Sequence, residues 1–123
     1  MVVRVTSLVL RIAGTLALIL GIIFWTGNLQ NLRTVHMTLG LIVVLSLWVL
    51  AGMLAASKQP NWGIVATGFL LGLVVVFVGL QQERWLLGST HWIVQVLHLL
   101  LGFSAIGVGE MIARSYKRVA ARA

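Results

Sequence analysis

The chain is expected to be all-α, folding as an antiparallel four-helix bundle within a membrane. Three observations predict this. Hydrophobic residues make up 60% of the 123 positions and charged residues only 9%, where a soluble domain carries about 25% charged. The apolar residues gather into four stretches, 8–27, 34–56, 62–80 and 90–112, each near or above the ~20 residues that cross a bilayer core. The breaks between them are short, which makes consecutive helices antiparallel neighbours.

The first helix is expected over 8–27. Its apolar run is longer than the ~7–15 residues of a signal-peptide core, and no A-x-A site follows, so it is expected to be retained. Gly27-Asn28 marks the first break. Asn28 is the candidate N-cap of a second helix over 29–56, with Leu29, Leu32, Val35 and Leu39 at helical spacing behind it. The next break, Ser57-Lys58-Gln59-Pro60-Asn61, holds the only proline, where it disrupts no helix. A third helix is expected over 62–80. The polar run Gln81-Gln82-Glu83-Arg84 and the pair Ser89-Thr90 then separate it from a fourth over 90–113. Ser89 is the matching candidate N-cap. A basic tail, 114–123, completes one transmembrane domain, 1–123.

Orientation follows from the cations. Arg4, Arg11, Lys58, Arg114, Lys117, Arg118 and Arg122 fall on one side, and only Arg33 and Arg84 on the other. This asymmetry predicts both termini in the cytoplasm, with a bacterial inner membrane as the expected location. Trp25, Trp85 and Trp92 would mark the outer interface and Trp62 the inner one, while Trp48 lies deeper as packing. The net charge of +7 is distributed at the ends of apolar segments, not as a stripe interleaved with aromatics. It therefore points to anionic lipid and not to nucleic acid. The absence of cysteine excludes a disulfide, a thiolate metal site and a thiol nucleophile.

The most informative feature is a repeated string. His-x-x-Leu-Gly occurs as His36-Met-Thr-Leu-Gly40 and as His98-Leu-Leu-Leu-Gly102. On a helix, positions i and i+4 share a face, so each copy presents an imidazole with bare backbone one turn away. Counted from Asn28 and Ser89, both histidines sit ~12–14 Å along their helices. Two level imidazoles on parallel helices could hold a flat metal macrocycle, in the outer half of the bundle. Gly40, Gly102 and Gly21 would supply clearance, although small residues in membrane helices also serve plain helix packing. Gly14 with Gly21, and Gly72 with Gly79, each share a helix face. The two helical hairpins thus share a plan, without marked identity beyond the string.

Other polar residues have two readings each. Arg33, one turn nearer the outer surface than His36, is either a propionate partner or an interfacial anchor. His91 and Gln95 continue the face of His98 outward, His91 lying ~10 Å nearer the surface. They could form a quinone or proton site; His91 could contact a propionate, or ligate a metal in place of His98, although its depth matches His36 less well; or they could do nothing more than sit at the interface. Glu110 is expected to pair with Arg114 four residues on, and Arg11 to snorkel to the inner surface.

The pattern resembles the membrane four-helix b-type cytochromes, among them respiratory cytochrome b and the ascorbate-reducible transmembrane cytochromes. The specific part of the likeness is the two strings. It implies one haem b per chain, with His36 and His98 as axial ligands to iron and Gly40 and Gly102 as clearance positions. Those families often carry two histidine pairs. Here the inner half has no histidine, so the resemblance implies a single haem near the outer face. Such a haem would exchange electrons with quinone or a partner redox protein, as a carrier or subunit and not a stand-alone enzyme. Two other readings stand beside it. One is a haem-free accessory or scaffold subunit of a larger membrane complex. The other is a small homodimeric transporter using His91, Gln95 and Glu110.

Overall fold

The computed structural model describes the whole chain, Met1–Ala123. It is all-helical: α1 spans Val2–Trp25, α2 Arg33–Ala55, α3 Trp62–Gln81 and α4 His91–Ala121. A single 3-10 turn, Gln30–Leu32, leads into α2. All four helices are long and apolar enough to cross a membrane.

Three boundaries differ from expectation: the start of α1, the start of α2 and the end of α4. Helix α1 begins at Val2, because Val3 and Ser7 are buried and packing carries the helix back to the N-terminus. Helix α4 continues through most of the basic tail to Ala121. No Gly or Pro follows Gly109 to stop it, and Ile112, Ala113 and Tyr116 pack into or against the core. At 31 residues it is ~46 Å long by helical rise, more than the ~30 Å of a bilayer core.

The proposed caps also differ. Asn28 caps nothing: its Nδ2 donates to Thr26 Oγ1 at 2.9 Å, and its backbone N–H closes the end of α1 on the Ile23 carbonyl. The residue is spent terminating α1, so α2 starts at Arg33 without a side-chain cap. Ser89 is displaced by Thr90 at the cap of α4, again with no capping bond. The one side-chain cap is Asn61, whose Oδ1 accepts from Ile64 N–H at 3.2 Å.

Consecutive helices pack antiparallel, and α1 closes the ring against α4. Register is visible in the glycine sockets. A Cβ at Gly14 would lie 2.7 Å from Ile106 Cγ1, one at Gly109 2.7 Å from Leu10 Cδ1, and one at Gly68 2.8 Å from Ile112 Cδ1. Helices α2 and α4 also touch across the bundle, while α1 and α3 make no comparable contact. Both termini lie at one end, called here the terminal end; the α1–α2 and α3–α4 connections form the other, the histidine end.

The core sits in the terminal half. Leu10, Leu47, Leu50, Leu54 and Ile112 are fully buried there. The outward faces are apolar as well: Leu8, Ile12, Leu45, Leu73 and Phe103 are all exposed. An apolar exterior of this extent matches lipid, not water, as the surrounding medium.

Two side-chain arrangements anchor this half. Trp48 lies over Gly72 and donates its Nε1–H to the Phe69 carbonyl at 3.3 Å. The Gly72→Ala substitution would push a methyl group into a rigid, hydrogen-bonded indole. It is expected to lower stability in detergent by about 1–3 kcal/mol. Gly107→Ala, with nothing within 4 Å of the added Cβ, is expected to be neutral or slightly stabilising by the same thermal-unfolding measurement.

The second arrangement corrects the expected Glu110–Arg114 pair. Glu110 is instead gripped by Arg11 of α1, through Nε to Oε1 and through Nη2 to Oε2 at 2.7 Å. Ser7 Oγ donates to the same carboxylate at 3.2 Å. A planar guanidinium that meets a carboxylate with two parallel bonds outcompetes a single intrahelical partner. Arg11 therefore ties α1 to α4 and does not simply reach for the inner surface.

Candidate functional site

The helical repeat places His36 and Gly40 on one face of α2, and His98 and Gly102 on one face of α4. Because α2 and α4 approach each other across the bundle, those faces meet. The His36 and His98 ring centroids are 6.1 Å apart, with the ring planes at 65°. The two imidazoles are level, as the capping count predicted, although neither assumed cap forms.

Each imidazole stands beside a glycine of a neighbouring helix. A Cβ at Gly21 of α1 would lie 3.4 Å from His36 Cε1, and one at Gly79 of α3 would lie 3.1 Å from His98 Cε1. Phe24 meets the His36 ring edge-on at 5.4 Å. The Nδ1 atoms of His36 and His98 are buried and have no hydrogen-bond partner. A buried polar atom left unpaired costs about 1–3 kcal/mol, so two at one place call for a functional account.

The histidines open onto a cavity of about 510 Å³, within the ~300–1,000 Å³ range of cofactor and ligand sites. All eight residues singled out from the sequence line it: His36, His98, Gly40, Gly102, Gly21, Arg33, His91 and Gln95. Gly40 has nothing within 4 Å of an added Cβ, and Gly102 only Leu18 Cδ2 at 3.5 Å. Neither glycine is a tight helix contact: Gly40 faces open space, and Gly102 meets Leu18 only at ordinary van der Waals distance. Glu110, in the terminal half, is not part of the lining.

The polar residues at the mouth already have partners. His91 Nδ1–H donates to the Trp85 carbonyl at 3.2 Å, which orients the ring and leaves Nε2 free. Arg33 is not free: its Nη1 pairs with Glu83 Oε1 at 2.7 Å, both side chains being more than half exposed.

Sequence reasoning missed several lining residues. Gly79 was legible as the counterpart of Gly21, since Gly14 and Gly21 repeat the spacing of Gly72 and Gly79. Gln30, Gln82 and Glu83 also line the cavity. They lie in or beside the connections, where no periodicity announces which way a side chain turns.

No protein-family model, curated protein or solved structure matches the chain.

Proposed function

We propose that this chain is an integral membrane b-type cytochrome, or the haem-bearing electron-transfer subunit of a membrane redox complex. The single observation that carries the reading is the level pair His36 and His98, their ring centroids 6.1 Å apart, facing one another in a glycine-lined cavity. Two facing imidazoles are the donors at this depth, with His91 nearer the mouth. No cluster of three or more His, Cys, Asp or Glu stands ready for a bare metal ion. A metal held here must bring its remaining ligands with it, as a porphyrin does.

The residues suit one haem b. His36 and His98 would hold the iron as neutral imidazoles. Gly40, Gly102, Gly21 and Gly79 would admit the ring edges, and Arg33 would meet a propionate at the mouth. When bound, such a group would supply one-electron transfer. The chain's own contribution is to orient two imidazoles and to line the cavity toward the terminal half with Val43 and Val75.

In this reading the termini face the cytoplasm of a bacterial inner membrane and the cavity opens outward. Electrons would then be exchanged with quinone, near His91 and Gln95, or with a redox protein at the outer face. The test is a reduced-minus-oxidised visible spectrum of the protein purified in detergent after expression with ample haem. A low-spin b-type signature is expected; its absence overturns the proposal.

A further inference from the structure

The ion pair at the cavity mouth gives the site a preference for the charge of its guest. Arg33 opens α2, and Glu83 lies just past the end of α3, so their 2.7 Å contact ties one helical hairpin to the other. Arg33 Nη2–H also donates to Gln30 Oε1 at 3.4 Å, and Gln30 Nε2–H donates to the Phe24 carbonyl at 2.9 Å. Phe24 in turn touches the His36 ring. Phe24, Gln30, Arg33 and Glu83 all line the cavity. The guanidinium is thus held at the rim by residues anchored to the deeper histidine.

We infer that Glu83 is a placeholder: its carboxylate occupies the Arg33 position that an acidic group of the guest takes over. The inference rests on the reading of this cavity as a haem site. The chain has only two acidic residues, and the other, Glu110, is committed to Arg11 in the terminal half. Glu83 is therefore the only carboxylate available to Arg33. Its side chain is 57% exposed, so once displaced it passes into water without a burial penalty. A carboxylate on the guest replaces it like for like. A guest without a carboxylate gains nothing from Arg33 and leaves the pair in place.

The consequence is a paradoxical gain of affinity on removing a charge from the site. Apoprotein in detergent is titrated with haem, which carries two propionates, and with haem dimethyl ester, which carries none. Exposed ion pairs are worth up to about 1 kcal/mol, so Glu83→Gln is expected to bind haem roughly two- to fivefold more tightly than the unaltered chain. It is expected to bind the ester equally well. Arg33→Gln is expected to weaken haem binding and leave ester binding unchanged. In the Arg33→Gln background, adding Glu83→Gln is expected to have little further effect.

Thermal unfolding of each apoprotein checks that the variants are folded. Haem binding that is unchanged or weakened in Glu83→Gln overturns the placeholder while leaving the cytochrome reading intact. An equal gain for haem and ester does the same, since it would reflect a looser mouth. If the unaltered chain binds neither compound, the haem reading falls and this inference falls with it.

Discussion

Alanine at His36 or at His98 is expected to abolish the low-spin haem spectrum, each on its own. On the haem reading, iron that loses either imidazole loses the strong ligand field that would keep it low-spin, so the effect is expected to be all-or-none and not graded. His91→Ala is expected to leave the spectrum in place, because His91 is anchored to the Trp85 carbonyl about ten ångströms nearer the mouth. Loss with His91→Ala alone would show that α4 supplies its ligand from a different turn. The thermal stability of the apoprotein carries equal weight. Each histidine buries an Nδ1 that has no partner, so its removal relieves a cost of about 1–3 kcal/mol that offsets the lost packing. The His36→Ala and His98→Ala apoproteins are therefore expected to melt close to the unaltered chain. A histidine that served only to join helices would show a clear drop instead.

Leucine at Gly40 or Gly102 is expected to exclude haem while leaving the bundle folded. The two glycines face open cavity, with nothing within 4 Å of an added Cβ at Gly40 and Leu18 Cδ2 at 3.5 Å from one at Gly102. A Cβ enters at either position without a close contact, and the rest of the side chain is expected to extend into the cavity that both residues line. Leucine also gains about 0.8–1.0 kcal/mol in helix propensity over glycine, less its own small penalty. Apoprotein stability should hold or rise, and haem affinity in titration should fall at least tenfold. The opposite result, a destabilised apoprotein, would mean that these glycines seat a helix. The control is Gly14, where an added Cβ would meet Ile106 Cγ1 at 2.7 Å. There a larger residue must unsettle the α1–α4 contact whatever the guest.

The fold was largely legible because apolar length and short breaks leave few alternatives for four helices. The lining of the cavity was legible for the residues that carry helical spacing. His36 with Gly40 and His98 with Gly102 share faces by arithmetic alone. Their being level was reached through Asn28 and Ser89, neither of which forms the assumed cap. The register is set elsewhere, by Trp48 over Gly72 and Ile112 over Gly68, and these are contacts between helices that a single helix cannot announce. The partner of Glu110 was misjudged for the same reason. Spacing within α4 offered Arg114, but the decisive neighbour, Arg11, comes from the far end of the chain. Glu83 was invisible as a site residue because a connection has no period, and its side chain is placed by Arg33 across the bundle.

The one-sided placement of the core makes the bundle a cantilever. Leu10, Leu47, Leu50, Leu54 and Ile112 clamp the helices at the terminal end. At the other end Val78 and Val94 are buried and Phe24 packs on His36, but an exposed ion pair and short connections do much of the holding. Splaying of the free ends thus requires little of the packing that defines the fold. A bulky, rigid group can be admitted by bending at the tips, with the clamped half undisturbed. On the haem reading, the apoprotein would fold first as a receptacle, and insertion of the guest would be a late, local event in its assembly.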